Sequence, residues 1–230
     1  YSRTYLKQLR REKGPYEFSA QYLNNPVPDE FATFQKDWFN YFEWDDVRGR
    51  LMNFFVFCDP AISQKKSADF TSIVTVGVDK FSNIYIYEIY RKHANPTEII
   101  NELFYLNNKY KPRQICVETV AFQKAIQHFI REEMKNRKIA LPLLEVQPDH
   151  RETKEMRIRG LVPYYEQGKI YHPVHSYNRE YLESELTRFP LSKHDDVIDA
   201  LSYFPGVIFP PNPKKVERSD SRPRRNKYIY

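Results

Sequence analysis

The stretch Asn53-Phe54-Phe55-Val56-Phe57-Cys58-Asp59-Pro60-Ala61 constrains the fold more than any other part of the chain. A short, unbroken run of aromatic and β-branched residues fits a strand at the centre of a sheet, buried on both faces. Proline cannot donate to a ladder, so the strand has to stop at Asp59. A central strand thus carries an acid to the mouth of a sheet. Two later stretches resemble it in design. Gln114-Ile115-Cys116-Val117-Glu118-Thr119 is a second short apolar strand ending on a carboxylate. His194-Asp195-Asp196-Val197-Ile198-Asp199-Ala200-Leu201 opens a helix with acids in its first turn.

The order of elements defines the architecture. Leu51–Cys58 reads as the first strand, Thr71–Val78 as the second and Ile84–Tyr90 as the third, with a turn at Asp79–Asn83. A helix begins at Pro96, with Asn95 as its cap and Ile99, Ile100, Leu103, Phe104 and Leu106 at helical spacing. The fourth strand ends at Glu118, a helix covers Phe122–Lys138, and Leu141–Val146 is a fifth strand. Arg151–Gln167 reads as a helix interrupted near Gly160 and Pro163. Lys169–Tyr171 is a short strand, and Tyr181–Arg188 and Asp195–Phe204 are helices. Three antiparallel strands followed by βα units predict an α/β fold, a mixed central sheet flanked by helices. On such a sheet ligands gather outside the carboxyl ends of the parallel strands. The first and fourth strands are expected to be parallel neighbours, with Asp59 and Glu118 side by side.

Three regions follow from this reading. Residues 1–50 are a linker, with a helix end over 1–13 and an aromatic cluster from Phe31 to Trp44 within a stretch that docks on something. Residues 51–205 are the folded domain. Residues 206–230 are a basic tail, rich in proline at its start and expected to be unstructured. The chain opens on Tyr1-Ser2-Arg3-Thr4 with neither a signal peptide nor an initiator methionine, which suggests a piece of something longer. No apolar run reaches the ~20 residues of a spanning helix, so no membrane is expected.

The net charge of +6 is unevenly distributed. Residues 1–13 carry +4 and residues 210–230 carry +5, which leaves 14–209 at −3. An acidic centre between basic arms suits a cation-requiring site whose polyanionic partner is also held by the flanks. Cys58 and Cys116 both sit in apolar strands with no CxxC spacing, which favours reduced core residues and a reducing compartment.

Each acid alone has an ordinary structural explanation. Asp59 suits a turn, Glu118 an exposed strand end, and Asp195 or Asp196 a helix cap. Together they are harder to dismiss, because like charges brought close raise one another's pKa unless a cation intervenes. Oxygen donors of this kind are what magnesium and manganese prefer, and such ions in pairs stabilise both the attacking and leaving oxygens of a phosphoryl displacement. Other chemistries find less support. The chain has no GxxxxGK[ST] loop and no HExxH, and Pro148-Asp149 stands too near Glu152-Thr153-Lys154 for the two parts to lie on adjacent strands. Lys124, Lys154, Arg157 and Arg159, with His150 and Arg151, flank the expected mouth. Any one of them suits a solvated helix face; as a group they suit phosphate contacts.

Several of these motifs resemble the C-terminal nuclease domain of bacteriophage large terminase subunits. The resemblance rests on Phe18-Ser19-Ala20-Gln21-Tyr22 with Pro26, Asp59-Pro60-Ala61, Asp69-Phe70-Thr71, Val117-Glu118-Thr119, Lys154-Glu155-Met156-Arg157-Ile158 and His194–Leu201, in the family's order over roughly 18–204. It implies an RNase H-like fold and a metal-dependent endonuclease of the viral packaging motor. The implied activity is two-metal hydrolysis of concatemeric double-stranded DNA with little sequence preference. It also implies that Asp59, Glu118 and Asp196 are the catalytic triad that holds Mg²⁺ or Mn²⁺, with the adjacent Asp195 contributing to the metal site, while Asp69 and Asp199 match lesser acids of the family. Lys124, Lys154, Arg157 and Arg159 are the DNA-binding candidates. The implied partners are an ATPase domain preceding this one, a portal ring and a small terminase subunit, with action in the host cytoplasm on the procapsid. A Holliday-junction resolvase or integrase, and a non-catalytic DNA- or portal-docking module, are the alternative readings.

Overall fold

The computed structural model describes residue 5 and the stretches 32–61, 70–118, 124–147, 152–176 and 178–212. The N-terminal helix end and the far C-terminal tail therefore lie outside the described residues, as does Asp69.

A seven-stranded sheet forms the centre. Its strands are β1 (Asn40–Phe42), β2 (Asn53–Asp59), β3 (Thr71–Val78), β4 (Ile84–Lys92), β5 (Gln114–Glu118), β6 (Leu143–Val146) and β7 (Ile170–Pro173). They lie in the order β1-β7-β4-β3-β2-β5-β6. β2, β3 and β4 form an antiparallel meander. β5 adds parallel to β2 and β6 parallel to β5. On the other side β7 pairs parallel to β4, and β1 to β7. The mixed sheet expected from the element order is present, and β2 and β5 are the parallel neighbours it called for.

Among the described residues there are seven α-helices: α1 (Trp44–Val47), α2 (Pro96–Tyr110), α3 (Lys124–Arg137), α4 (Lys154–Arg159), α5 (Val162–Glu166), α6 (Arg179–Arg188) and α7 (Asp196–Leu201). α2 begins at a capping box in which the Asn95 side chain accepts from the Glu98 amide and Glu98 accepts from the Asn95 amide. It ends at Lys111 in the left-handed region. Its buried face carries Ile99, Ile100, Leu103, Phe104 and Leu106, each worth roughly 1.5–3 kcal/mol on burial.

Alternation along β2 divides the core. Phe55 and Phe57 join a large cluster on one face with Val74, Val76, Ile86, Cys116 and the apolar side of α7. Val56 and Cys58 join α2 and α3 on the other. Both cysteines are buried and free. Gly77 marks a close approach: a Cβ there would stand 2.8 Å from the Tyr87 ring and 2.9 Å from the Met52 sulfur.

The regions expected to be linker and tail contribute to the fold where they are described. Phe34 and Phe39 are buried in the large cluster, and residues 40–42 are the edge strand β1. Beyond residue 205, Phe209 sets its ring edge-on to Phe55 at 5.1 Å, and its carbonyl accepts from Asn53. Aromatic residues without periodicity still fill space between regular elements, which is why pattern alone left these segments outside the domain.

A carboxylate site at the carboxyl edge of the central strands

The register of four strands places a row of polar side chains across one face of the sheet. Asp59 is paired with Ser72, and Ser72 with Arg91. Cys58 pairs with Val117, so Glu118 comes beside Asp59 at the next position. Phe57, Val74, Ile89 and Cys116 all face the cluster that holds α7, and two residues further along each strand the side chains return to that face. Glu118, Asp59, Ser72 and Arg91 therefore form a line from β5 to β4 beneath α7.

α7 lies across this line, packing against β2, β3 and β4. Val197, Ile198, Ala200 and Leu201 bury its apolar side. Its acidic side is divided between the two ends of the row. Asp199 meets Asp59 and Glu118, and one carboxylate oxygen from each of the three lies within 4.8 Å of the others. Asp196 instead accepts from the Arg91 guanidinium at 2.9 Å, with His194 at 3.9 Å. Asp195 is the residue before the helix and accepts from Lys154 Nζ at 2.8 Å. The same ammonium stands 2.9 Å from Asp199.

The placement of the third acid differs from the expectation. Asp196 was the one expected beside Asp59 and Glu118; the structure brings Asp199 there and turns Asp196 to Arg91. Helical geometry supplies the reason. Asp199 is three and four residues beyond the acid doublet, so it shares the doublet's face one turn deeper over the sheet.

The basic residues divide as well. Lys154 is at the site, bridging Asp195 and Asp199. Arg157 is buried rather than presented to a partner. It donates to Asp199 and to Ser202 Oγ, and its guanidinium lies 4.4 Å from the centre of the Tyr203 ring. Arg159 is exposed and bonded to Glu155 and Thr33. Lys124 begins α3, but its side chain lies outside the described residues.

The electrostatics are those of excess negative charge. Burial, then the nearby Glu118 and Asp199 carboxylates, push Asp59 well above the usual carboxylate range, with Lys154 opposing. Burial and then Glu118 also raise the Tyr203 phenol. The Cys58 thiol behind Asp59 is raised by burial and then by the Asp59 and Glu118 carboxylates, which suits an inert core residue. Lys154 keeps its proton more firmly than an ordinary lysine. Burial works against the charge, but Asp199 and Asp195 outweigh it. Among the described residues no cation is ion-paired with Asp59 or Glu118.

Residues remote from the cluster hold α7 in place, and sequence reasoning missed them. Glu185, on α6, accepts from the amides of Val197 and Ile198 at 2.9 and 3.0 Å, satisfying donors that a short helix leaves open. Its other oxygen stands 3.6 Å from Arg91 Nε. Burial raises Glu185 to about 8. A glutamate in the middle of an amphipathic helix carries no sequence signal of this role.

A meander extended by parallel strands, with acids converging where β2 and β5 end, is the architecture of an RNase H-like domain. The family model described as the terminase RNase H-like domain matches residues 56–205, and the chain belongs to that family. Among solved structures, the large terminase nuclease from thermophilic phage G20c with bound cobalt is 17% identical, with a TM-score of 0.55 over 76% of this chain and 96% of that one. The Thermus phage P74-26 large terminase nuclease domain is also 17% identical, with a TM-score of 0.52 over 72% and 89%. The nuclease domain of the large terminase subunit gp2 of bacterial virus Sf6, with manganese and beta-thujaplicinol, is 8% identical, with a TM-score of 0.50 over 67% and 88%. At these identities the likeness is one of fold. A search of curated proteins found no match.

Proposed function

We propose that the chain is a divalent-metal-dependent endonuclease of a viral DNA-packaging motor, cutting concatemeric double-stranded DNA with low sequence specificity. The observation that carries this reading is the meeting of Asp59, Glu118 and Asp199, from three separate elements, with ligand oxygens within 4.8 Å. Oxygen donors in this number fit Mg²⁺ or Mn²⁺. The raised Asp59 pKa supports the fit, since uncompensated negative charge is what a bound cation relieves.

In this reading Asp59, Glu118 and Asp199 would hold the metal, with Asp195 beside them. When bound, such ions lower the pKa of the attacking water and stabilise the leaving oxygen. The protein's own groups do the rest. Arg157 and Ser202 hold Asp199 in its orientation, and Lys154 is placed to exchange its carboxylate partners for a DNA phosphate. The basic arms at 1–13 and 210–230 add attraction for the backbone without reading bases. In the motor, we propose an ATPase domain, a portal ring and a small terminase subunit as partners, in the host cytoplasm on the procapsid. Among the described residues no helix is long and apolar enough to cross a membrane.

The test is supercoiled plasmid incubated with the chain in EDTA, Mg²⁺ or Mn²⁺, beside Asp59→Ala and Asp199→Ala. Metal-dependent nicking and linearisation, lost at least 100-fold in both variants, is the expected result, in line with the several kcal/mol a metal contributes to such a transition state. Intact plasmid in every lane, with folded protein still shifting DNA, would leave only a docking role.

A further inference from the structure

At the Arg91 end of the polar row the structure contains a second construction that metal chemistry does not use. The Arg91 guanidinium is buried between two rings, 3.7 Å from the centre of Phe70 and 4.8 Å from that of Tyr181. Phe70 in turn stacks on His93, with centroids 3.9 Å apart and planes 27° from parallel, while His194 meets Phe70 edge-on at 5.5 Å. The result is a continuous pile, Tyr181–Arg91–Phe70–His93. Its inner member is anchored by Asp196 at 2.9 Å, and its outer member, His93, is exposed.

Position gives the pile its interest. β4 runs parallel to β2, with β3 between them, so Arg91 and the residues after it emerge at the same edge as Asp59. Two strand spacings separate Arg91 from Asp59, about 10 Å. A strand with its phosphate at the carboxylates that runs along this edge toward β4 approaches the side of the sheet where His93 is exposed. Among the described residues Phe70 is the only ring stacked on His93, and no ion pair or hydrogen bond engages the imidazole. A π face rigidly backed by a second ring and a cation is what stacks an unpaired base regardless of its identity.

We propose that the His93 face of this pile is a stacking seat for an unpaired nucleobase next to the phosphate being cut, so that the chain prefers DNA locally frayed at the cut over fully paired duplex. This rests on the nuclease reading for the strand's position but adds a substrate class to it.

The experiment uses the full chain and a forked DNA carrying 2-aminopurine at its first unpaired position. With Ca²⁺ as the cation, binding is followed by anisotropy and stacking by quenching of the base. Wild type is expected to quench; His93→Ala is expected to bind with quenching lost, and His93→Phe to restore it. With Mg²⁺, His93→Ala is expected to lower kcat/KM on the forked DNA roughly 5- to 150-fold, the span of base–aromatic stacking, while leaving paired duplex nearly unchanged. Matching melting temperatures would exclude misfolding at this exposed position. Bound 2-aminopurine that stays bright, or His93→Ala equal to wild type on both substrates, overturns the proposal. So does rescue of His93→Ala by Lys but not by Phe, which assigns a phosphate contact instead. Quenching without cleavage would sink the nuclease reading and leave the seat standing; cleavage indifferent to His93 would do the reverse.

Discussion

The residue that answers most directly for the site is Asp59. Its folded pKa lies well above the ordinary value because burial and two neighbouring carboxylates disfavour its charge. The folded state therefore holds a proton that the unfolded chain has already released, and stability falls as pH rises from the ordinary carboxylate range up to the raised value. Asp59→Asn should remove that loss and raise Tm at neutral pH without metal, at roughly 2–4 °C per kcal/mol for a chain of this size. Mn²⁺ should raise the Tm of wild type and leave Asp59→Asn unmoved. Thermal melts with and without the ion check both, and an unchanged metal-free Tm would mean the three carboxylates do not strain one another. Asp199 and Asp196 make a second contrast at this scale. Asp199→Asn should abolish the metal-dependent gain in Tm, whereas Asp196→Asn should lower Tm in EDTA while keeping the gain. The opposite pattern would restore the doublet residue as the ligand.

At the scale of elements, α7 is too short to hold itself in place. Helices of such length are marginal in water, and this one relies on Glu185 for two of its open amides and on Arg157 for the position of Asp199. Glu185→Ala should cost about 1–3 kcal/mol, because it strands buried donors, and should weaken Mn²⁺ binding although Glu185 touches no metal ligand. Glu185→Gln keeps an acceptor but cannot ionise. Since the folded pKa of Glu185 is raised to about 8, ionisation costs stability between the unfolded glutamate range and that value. Denaturation of the Gln variant across that window should show a flatter decline in stability than wild type. Equal slopes would place the ionisation elsewhere. Loss of Arg157 should be worse than loss of Arg159: one leaves buried Asp199 short of a partner, and the other breaks an exposed pair with Glu155.

Over the whole molecule, charge is segregated. The middle of the chain is mildly acidic and the two ends are basic. A chain ending at residue 212 loses seven Lys and Arg. It should bind DNA more weakly and with a shallower dependence of log affinity on log salt, since each phosphate contact contributes a slope of about 0.9 on duplex DNA. Binding titrations at several salt concentrations would show an identical slope if the tail stays clear of DNA. Metal affinity should be the same in both chains, because the site lies within the sheet and α7.

How much of this was legible beforehand depends on the range of the interaction. Runs such as Phe54–Cys58 and Ile115–Val117 announce buried strands by local composition. Proline after Asp59 announces where the strand stops, and Asn95-Pro96 with Glu98 announces where α2 starts. These are short-range constraints that residues impose on their immediate neighbours, and from them the mixed sheet and the pairing of Asp59 with Glu118 followed. The third acid, the burial of Arg157, the support from Glu185 and the pile on Arg91 were not legible in the same way. Each depends on how helices are rotated and seated over the sheet, and that is decided by packing between separate elements, from 12 positions apart for Glu185 and Val197 to 105 for Arg91 and Asp196. The sequence by itself determined which strands would form and which acids they would carry to the edge. Only the tertiary structure decided which carboxylate of α7 would meet them, because side-chain direction on a helix is set by what the opposite face must bury.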